Sequence, residues 1–188
     1  RCTGCRTCEI ACKVENGVEM GPRWRKVRTV EGDEGGPFMY HVSMSCNHCE
    51  VPVCAEACPS GAIEKRPDGI VVVDESKCIG ARLCAWACPY DAPQFSDETG
   101  KMEKCNFCQH RLVAAKHEAS NIGRDLKDGE VLTACQQTCP TKAISFGNMM
   151  DENSQVAQKA KTNDKDHRDR QYEVLPELNY QPAVTYLK

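Results

Sequence analysis

The chain has 188 residues, a net charge of −3 and an isoelectric point near 6.0. That balance offers no cationic face for nucleic acid or an anionic membrane surface, and no apolar run approaches the roughly 18–20 residues of a membrane helix. Aromatic residues are 6 % and mean hydropathy is −0.55, which predicts a thin core. The 15 cysteines are the candidate compensation, because small folds with weak cores rely on cross-links or metals.

The sequence opens on a cysteine loop, "CTGCRTCEIACK", with Cys2, Cys5, Cys8 and Cys12. This is C-x2-C-x2-C-x3-C, the bacterial ferredoxin spacing, except that Lys13 stands where proline is usual. A later cysteine cluster follows the strand-like run "GIVVVDESKC", so a matching strand is expected ahead of Cys2, and the lack of a leader says nothing about export. The basic "RWRKVR" (23–28) reads as a strand with a solvated charged edge, or as a face for an acidic partner.

"CNHCEVPVCAEACP" supplies Cys46, Cys49, Cys54 and Cys58, followed by Pro59, with two extra residues between its second and third cysteines. The turn-prone "RPDG" (66–69) and "IVVVD" (70–74) predict a hairpin-like pair of strands. "SKCIGARLCAWACPYDAP" (76–93) carries Cys78, Cys84 and Cys88, then Pro89; Ala81 stands where the spacing asks for a further cysteine. Trp86, between Cys84 and Cys88, is expected to shield a bound group from water. "CNFC" gives Cys105 and Cys108, and "CQQTCP" gives Cys135, Cys139 and Pro140. Residues 151–171 are charge-dense and predict an exposed helix and loop. The tail 172–188, with Pro176 and Pro182, reads as an extended arm on a partner subunit or as a disordered terminus.

These cysteines admit three chemistries. A disulfide scaffold is disfavoured by the odd count, the tight clusters and the long cysteine-free stretches. Zinc is satisfied by two separated C-x2-C pairs, which leaves a loop triple followed by C-x3-C-P unexplained. Iron–sulfur ligation explains both parts: a tight loop can wrap three corners of a cubane, and three intervening residues place the last two cysteines one helical turn apart on one face. Proline then discourages further helix, and in two-cluster ferredoxins that last cysteine serves the other cluster. An internal repeat supports this reading: "CPSGAIEKR" (58–66), "CPYDAPQFS" (88–96) and "CPTKAISFG" (139–147) share Cys-Pro, two variable residues and Ala. The expected fold is α+β, with tandem bacterial-ferredoxin-like units of short strands, short helices and long cluster-binding loops.

With these motifs in order, the chain resembles the four-cluster iron–sulfur subunits of complex molybdenum and tungsten oxidoreductases, the dimethyl sulfoxide and polysulfide reductase family. The resemblance runs from Cys2 to Gly147. It implies one cluster on Cys2, Cys5, Cys8 and Cys139, and another on Cys105, Cys108, Cys135 and Cys12. It implies a third on Cys46, Cys49, Cys54 and Cys88, and puts Cys58 with Cys78 and Cys84. Residues 1–147 then form the four-cluster domain, with motifs one and four in one unit and 40–104 in the other, and 148–188 a polar segment and docking arm.

Ala81 cannot ligate iron, so the last site has three thiolates. That suits a [3Fe-4S] cluster beside three [4Fe-4S] clusters; a modified four-iron cluster with water or hydroxide at one corner, or an empty site, is the alternative. Cluster charge is one lever on potential, and a higher potential than its neighbours is expected there. No catalytic constellation is present. His41, His48, His110, His117 and His167 are scattered; His48 or His110 could tune a cluster by hydrogen bonding, an ordinary packed or solvated role is the plainer reading, and none is expected to be a ligand. The expected function is a non-catalytic relay of single electrons. The partners implied by the resemblance are a large molybdopterin-type catalytic subunit and a membrane anchor facing the quinone pool. Membrane association would come through those partners, on a side the sequence does not fix. An iron–sulfur subunit of a hydrogenase or of alternative complex III remains the other reading.

Overall fold

Each cysteine loop feeds into a short helix, and the ribbons between them hold the loops together. The computed structural model describes residues 1–32, 37–162 and 171–187. Helix α1 (Thr7–Asn16) starts at Arg6, whose left-handed backbone (φ 59°) turns the loop into the helix. It stops at Gly17, also left-handed, where the Val18 amide returns to the Lys13 carbonyl at 3.0 Å. Strand β1 (Arg25–Gly32) pairs antiparallel with β2 (Phe38–Ser45), from Arg25 opposite Ser45 to Gly32 opposite Phe38. The stretch expected to be a solvated charged edge thus starts a strand, but its beginning faces inward: Arg25 and Val27 are buried. Strands place alternate residues on one face, which is why these two share the interior.

The second motif contains α2 (Val53–Glu56) and then the expected hairpin, β3 (Ile63–Lys65) against β4 (Val71–Val73). Its turn closes through Gly69 N–H to the Arg66 carbonyl at 2.9 Å. The third motif repeats this plan with α3 (Leu83–Ala87) and the ribbon β5 (Gln94–Phe95) with β6 (Met102–Glu103). The fourth motif is split by α4 (Gln109–Asn121) and resumes in α5 (Ala134–Gln137). Helix α1 packs against α5, and α2 against α3.

Helix α6 (Gln155–Thr162) falls in the charge-dense stretch, where the Asp128 carboxylate accepts from the Gln155 amide at 2.9 Å. Ser154 and Ala157 are buried, so this helix is anchored along one side; the loop expected after it, with His167, lies outside the described residues. The tail turns back on its own chain. Strand β7 (Gln171–Tyr172) pairs with β8 (Tyr186–Leu187), and the tail bonds to the second motif through Glu50 N–H to Gln181 O (2.9 Å) and Ala183 N–H to Asn47 O (2.8 Å).

No large apolar core forms among the described residues. Three small clusters occur instead, and cysteines belong to all of them: Cys54 and Cys84 with Ile63, Val71 and Met102; Cys8 and Cys135 with Val27; Cys46 and Cys105 with Ala92.

Candidate metal centres

All fifteen cysteines are free thiols. Among the described residues no three His, Cys, Asp or Glu side chains converge closely enough to share one metal ion. The thiols surround spaces instead. Cys46, Cys49, Cys54 and Cys88 line one pocket, with Val71 and Lys104 in its wall. Cys58, Cys78 and Cys84 line a second, together with Ala81, Ile63 and Met102. A third group forms where Cys105, Cys108 and Cys135 come within electrostatic reach of Cys12. In the fourth, Cys2 lies against Cys8, and Ile144 packs on the same cluster. Cys5 and Cys139 are placed through their own turns, by the Thr7 hydroxyl at 3.0 Å and the Ala143 amide at 3.2 Å.

These groups follow one another in a line. Cys8 packs with Cys135, Cys46 with Cys105, and Cys54 with Cys84. The order is therefore the Cys2 group, the Cys12 group, the Cys46 group and the Cys58 group.

Burial dominates the thiol electrostatics. It pushes Cys54 up to about 12, and Cys49, Cys84 and Cys105 up to about 11, with neighbouring thiolates adding to the rise. Cys12 is raised by burial further still, and next by Cys105. Cys58 and Cys139 go the other way. Burial pushes each up, but hydrogen bonds outweigh it: for Cys58 from the Ser60 hydroxyl and Ala62 amide, for Cys139 from the Ala143 amide and Thr141 hydroxyl.

The Cys-Pro-x-x-Ala repeat acquires its meaning here. The residue three after each cysteine is left-handed: Gly61 (φ 62°), Asp91 (φ 53°) and Lys142 (φ 51°). That turn aims the alanine amide back at the sulfur, at 3.3 Å for Ala62 on Cys58 and 3.2 Å for Ala143 on Cys139, and Ala92 bonds Cys88 the same way. Cys12 lacks the turn because Lys13 continues the helix and ties its ammonium to the Glu19 and Pro22 carbonyls. Asn16 supplies a side-chain N–H to Cys12 in its place, at 3.7 Å.

Ala81 occupies the position of Cys5. In "CTGCRTC" and "CIGARLC" the glycines are left-handed (Gly4 φ 72°, Gly80 φ 69°), and so are the arginines (Arg6 φ 59°, Arg82 φ 61°). The two loops match in burial at every position, ending on the buried Cys8 and Cys84. The Gly-x-Arg frame they share is a sequence signal that cysteine spacing alone does not reveal. Only the sulfur is missing; the loop that would present it is intact.

Trp86 corrects an expectation. It is 84 % exposed, so its ring lies on the surface rather than over the thiols. Helix α3 turns Cys84 inward, and a residue two positions later on a helix points to another face. His48 is a packed histidine: buried, stacked on Phe107 at 3.8 Å, with its Nδ1 accepting from the Val71 amide at 3.0 Å. Its backbone amide faces Cys46 Sγ at 3.4 Å, and burial holds its imidazole well below the usual range, hence neutral. His110 pairs with Glu15 on the surface.

Two buried cations are absent from the sequence-based expectations. Arg25 donates to the Ser43 and Ser45 hydroxyls, each at 3.0 Å, and is surrounded by Cys135, Cys105, Cys8 and Cys12. Burial would push its guanidinium down, but those thiolates outweigh it and raise it. Lys104, nearly inaccessible, donates to the Val71 carbonyl and, at 3.2 Å, to the Cys105 carbonyl. Strand alternation within "RWRKVR" is the signal that could mark Arg25 as inward-facing; nothing in the sequence marks Lys104.

Thiol-lined spaces with apolar walls and amides aimed at sulfur suit thiolate-bound iron–sulfur clusters. Comparison with known proteins agrees. Residues 1–62 and 37–123 each match the model of a 4Fe-4S dicluster domain. The sequence is 42 % identical over 156 residues to the B component of the anaerobic dimethyl sulfoxide reductase of Escherichia coli, spanning 78 % of this chain and 69 % of that one. It is 36 % identical over 190 residues to the B component of the tetrathionate reductase of Salmonella typhimurium, covering 100 % of this chain and 68 % of that one. It is 34 % identical over 204 residues to the B component of the sulfite dehydrogenase of Allochromatium vinosum, covering 99 % and 78 %. This protein belongs to the ferredoxin-type iron–sulfur subunit family that includes the B components of the dimethyl sulfoxide and tetrathionate reductases.

Proposed function

We propose that this chain is the electron-transfer subunit of a molybdoenzyme complex. It passes single electrons between a large molybdopterin-type catalytic subunit and a membrane anchor subunit serving the quinone pool. The observation that carries the reading is the line of four thiol groups, each in contact with the next. A relay needs that order; an enzyme acting on a substrate, or a store of metal, does not. No helix among the described residues is long and apolar enough to cross a membrane, so membrane attachment rests with the partner subunits.

In this assignment Cys2, Cys5, Cys8 and Cys139 hold one [4Fe-4S] cluster, and Cys12, Cys105, Cys108 and Cys135 the next. Cys46, Cys49, Cys54 and Cys88 hold the third. Cys58, Cys78 and Cys84 hold a [3Fe-4S] cluster, because the Ala81 corner has no ligand. Residues 1–147 form an α+β domain of two ferredoxin-like units, motifs one and four in one and 40–104 in the other, and 148–188 include the arm that meets a partner. The bound clusters supply one-electron redox centres whose potentials respond to hydrogen bonds, charge and exposure. The protein supplies the rest. Thiolates fix each position, the Ala62 and Ala143 amides stabilise negative sulfur, and Ile63, Val71 and Met102 keep water away.

Iron and acid-labile sulfide analysis of anaerobically purified complex, with EPR of the oxidised protein, tests this. The expected result is the iron of three four-iron centres and one three-iron centre, co-purifying with a large molybdenum-containing chain. Negligible sulfide, or no reversible redox signal, would end the proposal.

A further inference from the structure

Arg25 sits where the first two thiol groups meet, and no carboxylate pairs with it among the described residues. Its guanidinium bonds to hydroxyl and carbonyl oxygens, the Ser43 and Ser45 hydroxyls at 3.0 Å and the Ser43 carbonyl at 3.4 Å. Yet it is 7 % exposed. A buried cation left unpaired costs several kcal/mol, so something anionic must compensate it. Its neighbours are the sulfurs of Cys135, Cys105, Cys8 and Cys12, drawn from both groups, and these become anionic as thiolate ligands of a bound cluster. Arginine keeps its charge under all ordinary conditions, so the field it casts is permanent.

We propose that Arg25 is a shared electrostatic positioning residue, a fixed positive charge between two adjacent centres that makes both easier to reduce and leaves the other two unaffected. The inference rests on the cluster assignment above. Each affected centre gains one electron from its redox partner, and the fixed charge lowers the energy of the more negative, reduced form. The two serines on β2 hold the guanidinium in place: Ser45 lies directly across the ribbon from Arg25, and Ser43 touches Cys8 Sγ at 3.5 Å as well. Lys104 bears on Cys54, in the third group, whereas the charge that lowers Cys105 is Arg25.

The test is an EPR-monitored redox titration of the intact complex carrying Arg25→Gln, Arg25→Lys, Ser43→Asp or Ser43→Asn. In Arg25→Gln, two of the four midpoints should fall. At fixed ambient potential the reduced-to-oxidised ratio at those two centres should drop at least tenfold, which is about 59 mV for one electron. The centre at the Ala81 site, at the far end of the line, should stay put and serve as the internal reference. Arg25→Lys keeps the charge and should restore most of the ratio, which a purely structural role would not require. Ser43→Asp sets a carboxylate against the guanidinium without removing it and should lower the same two midpoints, while Ser43→Asn, which loses the same hydroxyl contacts to Arg25 and Cys8 Sγ but adds no charge, should move them less. Should Arg25→Gln fail to load iron, the Ser43 pair decides alone. Four unmoved midpoints, an equal shift in all four, or Arg25→Lys behaving like Arg25→Gln would overturn the proposal. Wild-type protein lacking iron and sulfide would instead overturn the cluster assignment.

Discussion

Substituting Ala81→Cys should convert the three-thiolate site into a four-thiolate one at almost no structural cost. The reason is the match between the two loops. Gly80 and Arg82 hold the φ angles of Gly4 and Arg6 to within a few degrees, and Ala81 and Cys5 are both exposed. The added sulfur therefore needs no new backbone conformation and displaces no buried group. A surface substitution of this kind changes stability by no more than about 0.5 kcal/mol. The electronic change should be large by comparison, because cluster type is a principal determinant of iron–sulfur potential. A shift of tenfold or more in the reduced fraction at fixed potential, about 59 mV for one electron, is the expected minimum, toward lower potential. EPR of the oxidised protein is the assay: the three-iron signal proposed for the native chain should vanish in the variant, and one further iron should appear in chemical analysis. If native and variant give the same spectrum and iron content, residue 81 does not face the bound group. The analogy with Cys5 would then be wrong.

Gly80→Ala should damage the same site. Its Cβ would collide with the Gly100 carbonyl oxygen, at φ +69°, so strain of about 1–2 kcal/mol adds to a backbone clash; denaturant titration should show both lower stability and loss of iron from one centre. Glu15 ties α1 to α4: hydrogen bonds from Arg111, and next from His110, hold its carboxyl down at about 2. A depressed carboxyl stabilises the fold above its ordinary value and loses that contribution as pH falls toward about 2. Glu15→Gln should therefore cost about 1 kcal/mol at neutral pH and nothing near pH ~2, as thermal melts at the two pH values would show. The metal-free chain should respond in the opposite sense. Thiols raised to about 11 or 12, as at Cys105 and Cys54, favour the folded state fully below the ordinary thiol value and progressively less as pH climbs through it. Its thermal midpoint should fall as pH is raised above about 9, and a rise would refute the burial argument.

The cysteines are legible in the sequence because ligand chemistry forces close spacing, and the β3–β4 hairpin because "RPDG" is a turn between apolar runs. The third ribbon, β5 with β6, is not: it has two residues per strand, too few for alternation to register. The Cys-Pro-x-x-Ala repeat shows itself without its cause, since the left-handed residue is Gly in one copy and Asp or Lys in the others. A sequence rule that looks for glycine finds only the first. Trp86 misleads because closeness in sequence to two cysteines is not closeness in space, and five helical residues suffice to separate them. Arg25 is hidden by composition. A run of basic residues ordinarily means a solvated face, and only the thiolates beneath it reverse that inference.

The C-x3-C elements explain how a line arises from a fold with so little core. Helix α1 carries Cys8 toward the first group and Cys12 toward the second, one turn apart. In the proposed assignment α5 repeats the exchange in reverse with Cys135 and Cys139, so two packed helices bridge the same pair of centres. Helices α2 and α3 do the same for the third and fourth, through Cys54 with Cys58 and Cys84 with Cys88. Covalent ligands thus set the spacing within each half, and each half is closed twice. The middle step has no such helix. It depends on Cys46 and Cys105 meeting over Ala92, flanked by Trp24 and Phe107, with His48 stacked alongside. Apolar side-chain packing, with the Lys104 ammonium on the Val71 and Cys105 carbonyls, spans that junction, so small apolar substitutions there should alter transfer between the halves more than substitutions inside either one.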